Sequence, residues 1–231
     1  TAEHNDANCS QGEVDPPWKK ARSDIGPRLL YTFAGPARKD DMVACGKPYH
    51  VDVEAFDTRR SSDHDLLDQC VWDRIINKIR MDHYQGGLSS PPCGTYSAIR
   101  RYSNDHGSSQ YGPRTLRGGF VPDIFGLPGL TNEEKDAVKK GTACALRAFD
   151  QAYALGSRGR PWAIESCDLR EGHPHILKLP QAIELAEKTG AGLVRFYQCN
   201  FGAATAKPSV LLFNGMTFND MRGFLNICSH E

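Results

Sequence analysis

The sequence predicts an α/β fold with a mainly parallel sheet and helices on both faces. Apolar runs of strand length alternate along the chain with segments whose apolar residues recur every three or four positions. Strands that alternate with helices typically form a parallel sheet, because each helix returns the chain to the starting end of the next strand. Such a sheet binds its ligands at the carboxyl ends of its strands, so the turns at those ends are the candidate sites.

Two further observations support the individual elements. The apolar positions from Leu66 to Ile79 fall on one helical face, and Thr131 and Glu134 have the spacing of a capping box at a helix start. In chain order the predicted elements are a strand at 29–33, a strand at 51–56, a helix from Asp65 to Ile79, a short segment at 84–89, a helix from Thr131 to about Ala154, a strand at 161–164 that ends at Glu165, a helix at 179–188, and strands at 192–197 and 209–213.

The chain is expected to hold one catalytic domain after a flexible N-terminal segment. A length of 231 residues is enough for one substantial core. Residues 1–27 are polar and lack hydrophobic periodicity, so we predict a flexible lead-in there and a catalytic domain at 28–231. Residues 98–130 are rich in Gly, Ser, Pro and Arg, which predicts a long loop at the active site.

The composition excludes several classes of protein. The 28 basic and 28 acidic residues leave no global field for nucleic acid, so any polyanion site must be local. No apolar run approaches the roughly 20 residues of a membrane span, and the polar start does not resemble a signal peptide. We therefore expect a soluble intracellular protein, nuclear in a eukaryote and otherwise cytoplasmic, with no membrane partner.

Metal binding is not expected. The eight cysteines are scattered without a CxxC pair, and the usual zinc-ligand spacing is missing. His173 and His175 lie close together in the sequence, but two histidines without further ligands are interpreted as surface residues.

Cys93 lies in the most distinctive turn of the sequence. Pro91 and Pro92 stiffen the approach to the cysteine, and Gly94 permits a sharp exit, so the thiol is expected at the mouth of the sheet. A thiol at such a turn is a nucleophile once its pKa is lowered. The alternative is a buried, inert cysteine.

A glycine turn and acidic residues follow the other predicted strands. Gly35 lets the backbone approach a ligand closely, and Glu54 and Asp57 are placed to receive ribose hydroxyls. Glu165 ends a later strand, where a carboxyl group acts as an acid if its surroundings keep it partly protonated. Each feature taken alone is also common in ordinary turns and solvated loops.

In combination, these features resemble the cytosine-5 DNA methyltransferase family. The cofactor turn of that family resembles Phe33-Ala34-Gly35, its Pro-Cys loop resembles Pro91-Pro92-Cys93, and its Glu-Asn-Val element resembles Glu165-Ser166-Cys167. The order and the intervals agree from residue 29 to about residue 214. The segment 198–202 with the following Lys207-Pro208 is similar to compact members from phages or mobile elements.

The resemblance implies a Rossmann-like class I S-adenosylmethionine-dependent methyltransferase fold and a definite mechanism. Cys93 attacks carbon 6 of a flipped-out cytosine in DNA, while Glu165 stabilises protonation at ring nitrogen 3. The residues expected to bind S-adenosylmethionine are Phe33, Ala34, Gly35, Glu54, Asp57 and Pro91. Those expected to bind nucleic acid are Ser97, Arg100, Arg101, Arg114 and Arg117.

The sequence also departs from the family pattern, which keeps other functions open. Ala37 stands where the cofactor turn has its second glycine, and Ser166 replaces the asparagine after the acid. The chain also lacks a segment as long as the target-recognition region of the family. The alternatives are a catalytically inactive methyltransferase-fold module that binds nucleic acid, the same nucleophile acting on RNA or a nucleotide, and an unrelated thiol enzyme.

Overall fold

The computed structural model describes residues 26–97, 114–201, 203, 207–217 and 219–224, which form an α/β structure around one six-stranded sheet. Most of the predicted lead-in, residues 1–25, and residues 98–113 of the predicted loop lie outside the described part. The strands are β1 (Arg28–Thr32), β2 (Asp52–Phe56), β3 (Gly86–Ser89), β4 (Trp162–Cys167), β5 (Gly192–Tyr197) and β6 (Pro208–Asn214). The helices are α1 (Met42–Gly46), α2 (Gln69–Arg80), α3 (Asn132–Gly156) and α4 (Pro180–Thr189).

The sheet is mostly parallel, as predicted. Its strand order is β2-β1-β3-β4-β6-β5. The first four strands pair in parallel, whereas β6 runs antiparallel to both β4 and β5. The chain therefore inserts its last strand, reversed, between the two strands that precede it.

The helices are distributed over the two faces differently from the prediction. The three long helices, α2, α3 and α4, share one face, where their apolar residues join Leu30, Trp162 and Ile164 in the main core. In the described part of the chain, α1 is the helix that packs on the other face, where Gly46 lies against Val53.

The direction of the strand connections explains this arrangement. The connection from β1 to β2 moves one way along the sheet, whereas those from β2 to β3, β3 to β4 and β4 to β5 move the other way. Crossovers between parallel strands are right-handed, so a change of direction changes the face on which the connecting helix lies. Three connections in one direction place three helices on the same face.

The second face carries a smaller core. Alternate residues of the strands point to it, and Ala163, Leu211 and Phe213 pack there with Val194 and Phe196. Met221 and Phe224, from the segment after β6, cover part of this cluster. The two clusters show why both sets of alternating strand residues are apolar in this sequence.

Local signals set the helix ends. The predicted capping box is confirmed, since the Thr131 hydroxyl accepts from the Glu134 amide and the Glu134 carboxylate accepts from the Thr131 amide. Helix α2 begins at Gln69 instead of near Asp65, because the Asp68 carboxylate accepts from the amides of Cys70 and Val71. The stretch from Asp65 to Asp68 is a turn.

Two predicted strand ends are wrong by a few residues. The first strand ends at Thr32, because Phe33 turns into the left-handed region with φ of 56°. Strand β4 continues through Glu165 to Cys167, since β6 pairs with it along its whole length, and Glu165 lies opposite Leu211. No helix among the described residues is long and apolar enough to cross a membrane.

Candidate functional site

A cavity of about 450 Å³ opens at the carboxyl ends of β1, β2 and β3. Strand order reverses between β1 and β3, and this switch point is where open α/β sheets bind ligands. The volume lies within the usual range for small-molecule sites. The lining residues that follow these three strands include Phe33, Gly35, Asp57, Arg59, Ser90 and Pro92.

The turn after β1 is held open by contacts to the turn after β2. Gly35, with φ of 68°, donates its amide to the Asp57 carboxylate at 2.9 Å, and Ala34 donates to the Phe56 carbonyl at 3.2 Å. Arg60 donates to the Gly35 carbonyl at 2.9 Å. A side chain added at Gly35 would meet no atom within 4 Å, so the backbone here faces open space in the cavity. The structure therefore brings Phe33, Gly35 and Asp57 together, as predicted.

Three features of the lining bear on the predicted cofactor, S-adenosylmethionine. Phe33, Leu66 and Pro92 offer apolar surface for a purine ring. The buried Nδ1 of His64, also in the lining, has no hydrogen-bond partner. Asp57 accepts two backbone amides, yet a carboxylate has four lone-pair sites and retains capacity for a hydroxyl group. The residues present thus fit the predicted cofactor.

Ala34, Glu54 and Pro91, which are also predicted to bind the cofactor, do not belong to the lining of this cavity, and Ala34 is buried. Glu54 points to the helical face of the sheet, where its carboxylate accepts from Lys78 at 2.5 Å and Tyr84 at 2.7 Å. Burial alone would raise the pKa of Glu54, but these two hydrogen bonds lower it overall. Glu54 is therefore a structural residue, because its position within the strand directs it away from the carboxyl edge. Pro91 is buried beneath the turn.

Cys93 lies in a turn that is anchored from below. The turn closes with a hydrogen bond from the Tyr96 amide to the Cys93 carbonyl at 2.9 Å. Tyr96 is fully buried, with the guanidinium group of Arg117 stacked 3.8 Å from its ring centroid. Arg117 also donates to the Thr95 hydroxyl at 3.0 Å. These contacts fix the half-buried Cys93 thiol beside the carboxyl end of β4.

The surroundings of Cys93 lower the pKa of its thiol. The largest cause is the interaction of its sulfur with the thiol of Cys167, and burial opposes this effect. The positive charge of Lys207 lowers the pKa further, whereas the negative charge of Glu165 raises it. The same pairing, together with burial, raises the pKa of Cys167. The interaction of the two thiols therefore acts in opposite directions, because it lowers the pKa of Cys93 and raises that of Cys167.

Glu165 shares this site with Cys93, as predicted. Its carboxylate accepts a hydrogen bond from the side-chain amide of Gln198 at 3.2 Å. The Lys207 ammonium group lies 3.6 Å from the same oxygen, Oε1. Cys167 lies two residues further along β4, so both side chains point to the same face. The structure therefore places a carboxyl group, a thiol of lowered pKa and a cation near one another, at the carboxyl ends of the strands.

The residues that are predicted to bind nucleic acid differ in their burial and contacts. Arg117 is wrongly predicted, because it is completely buried and donates to the carbonyls of Ile124 at 2.7 Å and Val138 at 2.6 Å. Arg114 is exposed but forms an ion pair with Glu134. Ser97 is half-buried at the end of the Cys93 turn. Arg100 and Arg101 lie outside the described residues.

Cys144 and His175 have shifted pKa values, although neither residue takes part in the predicted mechanism. Burial raises the pKa of Cys144, which lines the cavity, to about 11, so this thiol stays neutral. His175, predicted at the surface, is fully buried and donates to the Cys167 carbonyl at 2.7 Å. Burial lowers the pKa of His175 to about 4. Within the described ranges, no group of three or more His, Cys, Asp or Glu is arranged to hold a metal ion.

No protein-family model matches the chain. A search of curated proteins likewise finds no match.

Three residues of the site were not predicted as such: Cys167, Gln198 and Lys207. Cys167 was noted as part of the Glu165-Ser166-Cys167 element, and the strand alternation that places it beside Glu165 is visible in the sequence. Gln198 and Lys207 come from the two ends of the β5–β6 connection. The sequence carries no signal that this connection reaches β4, because the pairing of β6 with β4 is a long-range contact.

Proposed function

We propose that this chain is an S-adenosylmethionine-dependent DNA cytosine-5 methyltransferase of the class I fold. The observation that carries the proposal is the cavity at the switch point, whose lining runs through Ser90 and Pro92 directly into the turn of the activated Cys93. The strand order is compatible with a Rossmann-like sheet, in which ligands bind where the direction of the strand connections reverses, here between β1 and β3.

The proposed reaction uses Cys93 as a covalent catalyst. The Cys93 thiolate forms a bond to carbon 6 of cytosine. Glu165, which takes up a proton from solvent before this step, gives that proton to ring nitrogen 3, so that electron density moves to carbon 5, and recovers it when the thiolate leaves. When bound, S-adenosylmethionine supplies the methyl group that carbon 5 receives. A base then takes the proton from carbon 5, and the bond between sulfur and carbon 6 breaks to return the thiolate.

DNA as the substrate rests on the sequence resemblance and on the geometry that the mechanism demands. Carbon 6 is inaccessible in stacked DNA, so the base must be extruded or already unpaired. Cys93 and Glu165 are both partly exposed, so we expect an extruded base to be able to reach both side chains. RNA is the second polymer to test, because the same reaction applies to a cytosine in DNA or in RNA.

Covalent trapping tests the proposal directly. The chain is incubated with S-adenosylmethionine and duplex DNA that contains 5-fluorocytosine, in which fluorine prevents the final elimination. We expect a stable adduct that maps to Cys93 by peptide mass analysis, and we expect Cys93→Ser to form none. Cys70→Ser, at an exposed thiol on α2, is the matched control and should retain the adduct.

Each other outcome has a definite meaning. A folded sample that binds DNA without forming an adduct would indicate a non-catalytic nucleic-acid-binding module. An adduct at a cysteine other than Cys93 would refute the nucleophile, and efficient competition by RNA would move the substrate from DNA to RNA.

A further inference from the structure

A second cavity, of about 560 Å³, lies between helix α3 and the turn at 125–130 that precedes it, and is called the α3 cavity below. It shares no lining residue with the cavity at the switch point, which α3 lines through Lys140 and Cys144. The two cavities therefore lie on different sides of this helix. The apolar side chains that line the α3 cavity come from both of its walls and include Phe125, Leu127, Leu130, Val138, Ala143 and Leu146.

The hydroxyl group and two of the turn amides in this lining are already paired. The Thr142 hydroxyl accepts from Arg117 at 3.0 Å and donates to the Val138 carbonyl at 3.0 Å. The amides of Gly126 and Leu127 donate to backbone carbonyls at 3.0 Å and 2.9 Å. A molecule in the α3 cavity therefore meets mainly apolar surface, which favours a ligand with an apolar body.

Two lysines supply the charge of the α3 cavity. Lys135 and Lys139 line it from one side of α3, four residues apart, and both are exposed. Neither forms an ion pair with another residue in the part of the chain that the structure describes. Like charges at this spacing on a helix repel each other, so an anion bound beside both is favoured. Two nearby acids are already engaged by other cations, in the pairs Lys140–Asp136 and Arg114–Glu134.

We propose that the α3 cavity binds a small amphipathic carboxylate of the fatty-acid class. The apolar chain of the ligand packs against Leu127, Leu130 and Leu146, and its carboxylate lies beside Lys135 and Lys139. The cavity volume is within the usual range for small-molecule sites. This site goes beyond the proposed methyl transfer, because it contains none of the residues assigned to that reaction.

Calorimetric titration of the whole chain with sodium decanoate tests the site. We expect saturable binding of one decanoate per chain, and binding of 1-decanol that is at least about fivefold weaker, since the alcohol keeps the alkyl chain and lacks the charge. Lys135→Met and Lys139→Met should each weaken decanoate binding about twofold to fivefold, as expected for the loss of one exposed ion pair. Raising the salt concentration should weaken decanoate binding and leave that of 1-decanol at least as strong.

Two further variants separate the α3 cavity from a general effect of charge. Lys47→Met removes an exposed lysine directly after α1, on the other face of the sheet, and should leave decanoate binding unchanged. Ala143→Phe places a large side chain in the α3 cavity and should abolish binding in a chain whose circular dichroism matches the wild type.

Photolabelling locates the ligand without any substitution. A decanoate analogue that carries a diazirine on its alkyl chain should label peptides within residues 125–146 of the wild-type chain, and excess decanoate should prevent the labelling. Labelling within residues 57–67 would place the ligand in the cavity at the switch point and would overturn the inference.

The remaining outcomes also decide the question. Absence of decanoate binding, equal affinities for decanoate and 1-decanol, or an equal loss in Lys47→Met would each overturn the proposal. A decanoate affinity that falls as the protein concentration rises would show that a second copy of the chain covers the α3 cavity, and would overturn it too. The test uses neither S-adenosylmethionine nor DNA, so its result is independent of the trapping experiment.

Discussion

Arg117 connects the turn of Cys93 to the longest helix of the molecule. Its guanidinium group donates to the hydroxyls of Thr95 and Thr142 and to two backbone carbonyls, and it stacks on Tyr96. Burial lowers the pKa of this arginine. A planar group with five donors suits such a site, where a lysine would leave acceptors unpaired.

Replacing Arg117 should therefore destabilise the protein strongly. In Arg117→Met the Ile124 carbonyl loses its donor and the Val138 carbonyl keeps only the Thr142 hydroxyl among its side-chain donors, so we expect the free energy of unfolding to fall by about 2–4 kcal/mol. Urea unfolding measures the loss. Arg114→Met removes an exposed ion pair from the same segment and should cost clearly less. Equal losses in the two variants would contradict a structural role for Arg117.

Cys93 and Cys167 illustrate how position alone differentiates two identical side chains. Cys93 follows a turn at the open edge, whereas Cys167 ends β4 under the cover of β6. Their interaction lowers the pKa of Cys93 and, together with burial, raises the pKa of Cys167. The charge of Lys207 adds to the lowering at Cys93, whereas burial and the charge of Glu165 oppose it.

At the scale of elements, α3 organises the helical face of the sheet. It packs against α2, α4, β3 and β4, and its small residues Ala145, Ala148 and Ala152 let it approach closely. The same helix carries Thr142, which accepts from Arg117. A change that destabilises the first half of α3 is therefore expected to weaken the contacts of Arg117 that hold the Cys93 turn.

The cap of α3 gives a measurable contribution to stability. Thr131→Ala removes the hydroxyl that accepts from the Glu134 amide, so one amide at the helix start loses its acceptor. We expect a loss of about 1 kcal/mol in the free energy of unfolding, measured by urea denaturation followed by circular dichroism. Thr131→Ser retains an acceptor and should lose little. A full loss in Thr131→Ser would show that the methyl group, and not the cap, matters.

The connection between β5 and β6 shows how one element completes a site built by others. Cys93 follows β3 and Glu165 lies in β4, but the groups that fix the carboxylate and offset its charge come from Gln198 and Lys207. The reversal of β6 brings this connection to the same edge of the sheet. A parallel β6 would begin at the opposite end of the sheet, and Lys207 would lie there with it.

At the scale of the whole molecule, the topology concentrates the candidate chemistry in one place. The change of direction between β1 and β3 opens the cavity, and the next turn along the sheet holds Cys93. Three helices, α2, α3 and α4, pack on one face of the sheet and form the main core beneath the turns at the carboxyl ends of the strands. With no net charge on the chain, binding of a polyanion depends on local groups at the edge.

Buried His175 predicts how the stability of the molecule depends on pH. Its pKa is about 4 in the folded state against an ordinary value of 6.5, so the unfolded chain binds the proton more readily. The contribution is fully present above pH 6.5 and is lost as the pH falls through 4. The loss amounts to about 3 kcal/mol.

Equilibrium urea unfolding at a series of pH values tests this dependence. His175→Asn lacks the titrating ring, so its stability should decline less steeply between pH 6.5 and 4, whatever its absolute level. If the variant and the wild type share the same slope in this window, the acid sensitivity has another origin.

Local patterns in the sequence predicted most elements, because helices, caps and turns depend on residues close in the chain. The capping box of Thr131, the strand at 192–197 and the glycine turn at Gly35 are confirmed. The proximity of Cys93 and Glu165 was also expected, since both were placed at the carboxyl edge of one sheet. The predicted methyl transfer stays a prediction.

Only the tertiary structure decided the features that depend on which strands become neighbours. Strand order placed three helices on one face, turned Glu54 toward Lys78 and buried Arg117. It also brought Lys207 to within 3.6 Å of Glu165 across 42 positions of sequence. The physical reason is that periodicity and turn chemistry act over a few residues, whereas the partner of a buried charge is chosen by the packing of distant segments.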